Sequence, residues 1–593
     1  MKNPGSMREE ALLLTGESPS SDDEKAGRLL EFLGVPFQNQ SINDFRLPVN
    51  GPAAGATSYR LICSAQTFAS VSGELKNALL DANGFAQQIH SVFLYSNGDP
   101  SGAASVLSQL SGAKISVAKG SGNDVDWRIA DDPDGMFGPM RELRVRPAIA
   151  TLSDCSFFVT DGGSESVLIG TPNRVAFLKS TWHGLPVFVS SERLIDIGGE
   201  LTTPNFDVRD YFFSAVPIVS YIKWAFTYSS WHAPEASACL VIDDPLLKRR
   251  YGFLRFRELL TVMKQIKFST NIAFIPWNWR RSDPKVVQLF KDNPDNYSLC
   301  VHGCDHTAGE FGISKPEHLR AIAWEASRRM SLHERRTGLT HDRVMVFPQG
   351  IFSEQAILEL KHAGFNAVVN TEVHSTLQGG RKLNMSDVWD VAVMSYGDFP
   401  IYTRRYPAQG IENLAFDLLL GKPCLVVIHH DFFSDGYARL AQFIHQLNSL
   451  KVSITWRRLG DVVRRGYRQR ELSADCIEIE MYGSELLIEN RSSRTMSYLV
   501  RRREHNPDNI ERVYAGSHQV PWKTAGDRIE FNVDVPPGES ILLKLVFTAA
   551  EKVAHARQGL ASTAKIVLRR YLSEARDNYL MPVKARMAAF SRS

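Results

Sequence analysis

Between Ala236 and Trp456 the chain repeats one pattern, a short apolar run followed by an amphipathic stretch, and this restricts its fold more than any other feature. The runs are SACLVID, STNIAFIP, YSLCVHG, RVMVFP, NAVVN, CLVVIHH and VSITW, with the length and β-branched content of buried strands. The intervening FLRFRELLTVMKQI, PKVVQLFKD, PEHLRAIAWEASRRMSLHERR, SEQAILELKHAG, NLAFDLLLG and YARLAQFIHQLNSL space apolar residues as one face of a helix does. Strands that alternate with helices pair in parallel, because each crossover returns the chain to the same end of the sheet. Seven such strands within residues 236–470 predict a (β/α) barrel, with its reactive groups at the C-terminal strand ends.

Three of these strand ends carry residues capable of chemistry. SACLVID closes on Asp243 and Asp244, followed by Pro245. Asp-Asp-Pro by itself is usually a turn or a helix cap. At the mouth of a buried strand, however, two adjacent carboxylates repel unless they share a cation or a proton. YSLCVHGCDHT offers His302 and His306, four residues apart, and neutral imidazoles at that spacing can converge on a zinc-like ion. One carboxylate and two imidazoles leave an open position, as a catalytic metal requires. Cys304 and Asp305 lie in the same loop, the first inert or supporting, the second a loop cap or a histidine-orienting group. CLVVIHHDFF ends on His429 and His430; one faces the mouth as a general acid, with His429 taken first and His430 second.

The ordered set Asp-Asp, His-x-x-x-His, Pro-x-Gly and a late strand-end His resembles the polysaccharide deacetylase family of the NodB-homology type. The resemblance covers residues 236–470 and implies a distorted (β/α)7 barrel that hydrolyses acetyl groups on sugars with a divalent metal, zinc in the first instance. It assigns Asp243 as general base, Asp244, His302 and His306 as metal ligands, and His429 as catalytic acid with His430 in reserve. Val241-Ile242 replaces the family's Thr-Phe, and Pro245 follows the aspartates directly. Pro348 and Gly350 match the third motif, but Val346 stands where that motif has the Arg that steadies the base. Asp390 falls at the place of the fourth motif. The segment LVVIHHDFFSDGYARL, with an α/β domain ahead of the barrel, is also loosely similar to the deacetylase half of heparan sulfate N-deacetylase/N-sulfotransferases. Two rivals follow from the replaced Arg and from the generality of the metal set: a non-catalytic carbohydrate-binding or assembly protein, and an amidase acting on non-sugar C–N bonds.

Trp277, Trp279, Arg280 and Arg281 follow the second strand, as a platform for a sugar ring and its anionic groups or as simple packing. Tyr396, Tyr402, Arg404 and Arg405 occupy a comparable loop. Outside the barrel, residues 1–57 read as a flexible arm with a short acidic helix, and 58–205 as an α/β domain with a largely parallel sheet. Residues 206–235 read as a linker, 475–548 as a small antiparallel β-sandwich, and 549–593 as a basic helical tail. The net charge of +3 is too balanced for nucleic acid to be the main partner. The tail nevertheless carries nine basic and three acidic residues, and could touch an anionic membrane surface. Seven scattered cysteines, no secretory pattern and no long apolar run point to a cytoplasmic protein without a transmembrane span, its oligomeric state open. The expected partner is an acetylated carbohydrate.

Overall fold

The computed structural model describes residues 9–45, 57–80, 88–119, 125–148, 155–159, 166–377, 379–548 and 560–583. The barrel expected from the alternating pattern is there, but its sixth strand, Ile401–Thr403, lies in what read as a loop, and the expected run VSITW stands outside the ring. Its strands are Ala236–Asp243, Thr270–Phe274, Tyr297–His302, Val344–Val346, Ala367–Asn370, Ile401–Thr403 and Cys424–Ile428, all parallel and paired in chain order. The first strand also pairs with the seventh, Ile242 opposite Ile428, while Ile454–Trp456 joins the first strand's opening residues. Between the sixth and seventh strands the ring is closed by one residue. The Arg405 amide donates to the Leu425 carbonyl, and the Arg405 carbonyl accepts from Val427, both at 2.9 Å.

The strand period sorts residues into two populations. Cys239, Val241, Cys300, Val344, Val346, Val369, Tyr402 and Leu425 fill the barrel interior. Leu240, Ile242, Leu299, Val301, Ile401, Val426 and Ile428 face outward against the helices, as alternate residues of a strand must. That outer core does not stop at the barrel. It continues through the helix Phe212–Ala225 into the N-terminal domain.

Two expectations are corrected by this continuity. Residues 206–235 are not a linker, because FFSAVPIVSYIKWA is buried at eleven of its fourteen positions. A helix that is apolar all round must be enclosed, and this one lies between the N-terminal sheet and the helix Ile411–Leu420. Nor are residues 9–44 an arm. Glu9–Thr15 is an inner strand flanked by Phe37–Ser41 and Ser58–Ser64, and the helix Ser21–Phe32 between them starts from a capping box of Ser20 and Asp23. Its polar surroundings masked ALLL, a run too short to declare itself but fully buried. The GPAAGATS stretch read as part of the arm lies outside the described residues as far as position 56.

The N-terminal sheet has eleven strands and is parallel only in its first half. From Leu185–Ser190 onward it continues through antiparallel hairpins to Val175–Trp182 and Ser166–Gly170. The C-terminal sandwich packs a five-stranded on a four-stranded sheet and begins at Arg468. It is not wholly antiparallel, since Cys476–Met481 runs parallel to Met496–Arg503. Beyond it, the helix Leu560–Ala575 and the turn Arg576–Leu580 lie across the rim of the barrel's C-terminal end. The remainder of the expected tail lies outside the described residues.

The single-residue seam is pinned by the side chain of Arg405, which bonds Asp417 at 2.5 and 3.0 Å and the Phe206 carbonyl at 2.9 Å. Removing one partner of a buried pair strands the other charge. Arg405→Met is expected to destabilise the barrel by about 3–5 kcal/mol, read as a fall in the urea midpoint followed by tryptophan fluorescence. An unchanged midpoint would show that the seam is closed by its backbone alone.

Candidate metal centre

The two aspartates are handled in opposite ways. Asp243 shares the parity of Cys239 and Val241, so its side chain points into the barrel mouth and is 3% exposed. Arg404 reaches it from the end of the sixth strand and donates from both terminal nitrogens, each at 2.7 Å. Burial opposes ionisation of Asp243, but the guanidinium prevails and holds its pKa below the ordinary carboxylate value. Arg404 thus tethers Asp243 from a strand other than the one where the third-motif Arg was expected. The sequence placed it only in a loop comparable to that of Trp277–Arg281.

Asp244 follows the strand with a φ of 79°, a left-handed conformation uncommon for a residue with a side chain. The turn brings its Oδ1 to 3.2 Å from His302 Nε2 and 3.0 Å from His306 Nε2. These short approaches are not hydrogen bonds, and Oδ1 is buried with no hydrogen-bond partner. His302 explains why. Its Nδ1 lies 3.0 Å from the Val346 carbonyl, which only accepts, so the proton sits on Nδ1 and Nε2 presents a lone pair. Three ligand atoms within 4.8 Å of one another thus converge with nothing to satisfy them, and a divalent cation fits that need. Burial disfavours protonated His302, yet Asp244 and Asp243 beside it raise its pKa, so protons and metal compete for this ring.

His306 is placed by a loop that the sequence did not explain. Glu310 turns its carboxylate into the loop and accepts from the amides of Cys304, Asp305, His306 and Thr307 at 2.8–3.2 Å, and from the Thr307 hydroxyl at 3.1 Å. Gly303, at φ 62°, is obligatory: a Cβ there would strike both Glu310 and Pro348. Asp305 pairs with Arg329 at 2.5 Å, and Cys304 is buried, its thiol pKa pushed up by that burial. An acidic residue four positions after His306 was the available signal, and it reads like any surface glutamate.

Strand parity also separates the paired histidines. His429 follows the inward-facing Leu425 and Val427; its Nε2 is 4.0 Å from Asp243 Oδ2, and its ring lies beside Tyr406. His430 points the other way, packs edge-on against Tyr251, and meets Asp577 of the C-terminal segment at 3.6 Å. The reserve assignment of a catalytic role to His430 is therefore corrected. For the Trp277–Arg281 group the packing alternative holds: Trp277 packs against Tyr571, Arg281 lies over both rings and pairs with Glu574, and Arg280 stacks on Trp279. Trp277 and Arg281 hold the C-terminal helix, and none of the four lines the cavity, against their expected substrate role. Asp390 bonds Tyr482 and Arg468, Tyr396 bonds the Val373 carbonyl, and Tyr402 bonds the Gly466 carbonyl, each away from the site.

Asp243, Asp244, His302, His306, Arg404 and His429 share one cavity of about 280 Å³, whose wall also includes Gln349, Thr371, Glu372 and Tyr406. Arg569, Ser573 and Arg576 of the C-terminal segment complete it. A larger hollow of about 400 Å³ lies where the sandwich meets the barrel, lined by charges already paired, such as Arg465 and Arg491 with Glu489.

No protein-family model matches this sequence, and neither does any curated protein. Among solved structures the chain is similar to Agd3, described as a novel carbohydrate deacetylase, at 9% identity and a TM-score of 0.48, over 92% of this chain and 100% of that one. It is similar over 38% of its length to BA3943, a CE4 family pseudoenzyme from Bacillus anthracis, at 11% identity and a TM-score of 0.25, covering 64% of that chain. A putative polysaccharide deacetylase from Mycobacterium smegmatis is matched at 16% identity and a TM-score of 0.25, over 38% of this chain and 94% of that one.

If the cavity is a metal site, purified protein should bind one equivalent of zinc by calorimetry, and His302→Ala should bind none. Glu310→Gln should keep the fold by circular dichroism yet weaken zinc by about tenfold to a hundredfold, the usual cost of loosening a ligand's support. Unchanged affinity in both variants would remove the assignment.

Proposed function

We propose that the protein is a metal-dependent hydrolase that removes acetyl groups from a carbohydrate. The observation that carries this reading is the meeting, in one cavity, of an unsatisfied Asp-His-His set, an Arg-tethered carboxylate and a third, more exposed imidazole. Asp244, His302 and His306 would hold the ion, and their one-oxygen, two-nitrogen donor set suits Zn2+. Such an ion, when bound, supplies Lewis acidity toward a carbonyl and lowers the pKa of water.

The chain's own residues divide the proton work. Asp243, kept ionised by Arg404, accepts the proton of the water that attacks the acetyl carbonyl carbon. His429 gives a proton to the departing sugar nitrogen, or oxygen for an ester, as its bond to the acyl carbon breaks. The products are acetate and the freed amine or hydroxyl. Tyr406 offers a partly exposed ring at the mouth, and Gln349, Thr371 and Glu372 offer polar partners for sugar hydroxyls, which favours a carbohydrate over an apolar amide. Arg404 also speaks against a barrel that has lost its activity, because the base is not left without support.

Acetate release from N- and O-acetylated oligosaccharides tests the reading. Asp243→Asn should lose about 10²–10⁴-fold in kcat while keeping its metal; Asp244→Ala should lose both. The pH profile adds a signed expectation. A base whose pKa is depressed keeps the acid limb of kcat/KM below the ordinary carboxylate range. In Arg404→Met burial dominates, the pKa of Asp243 rises, and that limb must move to higher pH. A metal-loaded protein inert toward every acetylated glycan, or a fully active Asp243→Asn, would refute the proposal.

A further inference from the structure

The C-terminal segment has two faces of different chemistry. Its inner face docks on the barrel rim: Asp577 accepts from Tyr251 at 2.8 Å, Asn578 accepts from the Gly252 amide at 2.8 Å, and Glu574 pairs with Lys248 and Arg281. Ile566, Arg570 and Asp577 are buried there. The dock is built for this segment, since Gly252 has φ 56° and a Cβ would strike the ring of His430, the partner of Asp577.

Among the described residues the outer face is apolar and largely uncovered, with Tyr571 at its edge also packing against Trp277 and Arg281. Leu568, Tyr571, Leu572, Tyr579, Leu580 and Val583 are 48–72% exposed. Four of them, Leu568, Tyr571, Leu572 and Tyr579, fall on one helical stripe opposite Ile566, Arg570 and Asp577. Both acids of the described helical segment, Glu574 and Asp577, are turned inward and consumed in ion pairs. Cations flank the stripe, Lys565 and Arg576 on the helix and Arg249, Arg250 and Arg280 on the loops that receive it, all exposed. An apolar stripe with a mainly basic border, in which Arg249 pairs with Asp283 and Arg576 with Asp577, is the arrangement of a helix lying in a lipid interface.

We propose that this face docks the protein on an anionic membrane surface. A second copy fits it less well, because a twofold contact would set the basic border against itself. A lipid surface satisfies both parts, acyl chains meeting the stripe and anionic headgroups the border. Since Arg569, Ser573 and Arg576 of the same segment line the cavity, docking would hold the barrel mouth beside the bilayer. The substrate would then be met at the membrane surface. The inference is independent of the reaction proposed above, as its readout is binding to lipid alone.

The test is co-sedimentation of the full-length protein with phosphatidylcholine vesicles, with and without phosphatidylglycerol. Binding is expected to the mixed vesicles and not to phosphatidylcholine, falling as salt is raised. Each cation neutralised in Arg249→Gln and Arg280→Gln should weaken it roughly fivefold. Leu572→Glu with Tyr579→Glu should weaken it by about tenfold or more while circular dichroism and zinc content stay unchanged. Absence of wild-type binding, or full binding by the double variant, would overturn the proposal. So would a wild-type dimer in light scattering that the double variant converts to monomer, which assigns the face to self-association.

Discussion

Two carboxylates on consecutive residues cannot both be buried and ionised unless each is given its own positive charge. Everything about the rim of this barrel follows from how Asp243 and Asp244 meet that constraint. Asp243 stays in strand geometry, so parity aims it inward, where a guanidinium supplies two matched donors. Asp244 leaves strand geometry through a left-handed turn, which rotates its carboxylate toward the histidine loop instead. The first is neutralised by the protein, and the second faces two imidazoles in a group that could hold a cation. A pair neutralised twice by protein would be inert, and a pair with neither counter-charge would protonate. The different surroundings of the two carboxylates are thus written in the backbone.

Much of this was legible in the sequence, and the reasons are physical. Parallel barrels advertise themselves, because buried strands read as continuous apolar runs and their crossovers as amphipathic helices. The same alternation places reactive residues at run ends, which brought Asp243, Asp244, His302, His306 and His429 forward without coordinates. Even the choice between His429 and His430 was available from parity, had the inward set been anchored on Leu425. What stayed hidden depends on residues distant in sequence. Nothing local tells that Arg404 spans the barrel to Asp243, that Glu310 closes a loop upon itself, or that His430 faces a helix nearly 150 positions later. The helix Phe212–Ala225 misled for the opposite reason: its apolar surface has no polar stripe, so amphipathic periodicity was absent where burial was complete.

The corrected aromatic and basic residues share one explanation. Trp277, Arg281 and His430 have the composition of a binding surface because they are one, but their ligand is the chain's own C-terminal segment. A rim rich in Trp, Arg and His can recognise a sugar or a helix with the same stacking and ion pairing, and sequence alone does not separate the two. With the segment in place the cavity gains a wall that the barrel cannot supply, and the rim's polar groups are mostly satisfied.

Arg404 and Arg405 show why motif order is a poor guide to geometry in a closed sheet. In an open sheet, a residue from the sixth strand would be far from one on the first. In a barrel the strand ends converge on a common mouth, so a guanidinium can reach the same carboxylate from more than one strand. Here the substitution is tied to closure itself. Successive residues of one strand point to opposite faces, so Arg404 enters the mouth while Arg405 turns outward to Asp417. The backbone of Arg405 makes the two hydrogen bonds that join the sixth strand end to the seventh strand. The tether of Asp243 and the seam of the barrel are therefore neighbours on one strand end. Loosening the seam would let Arg404 drift from Asp243, leaving a buried carboxyl to take up a proton.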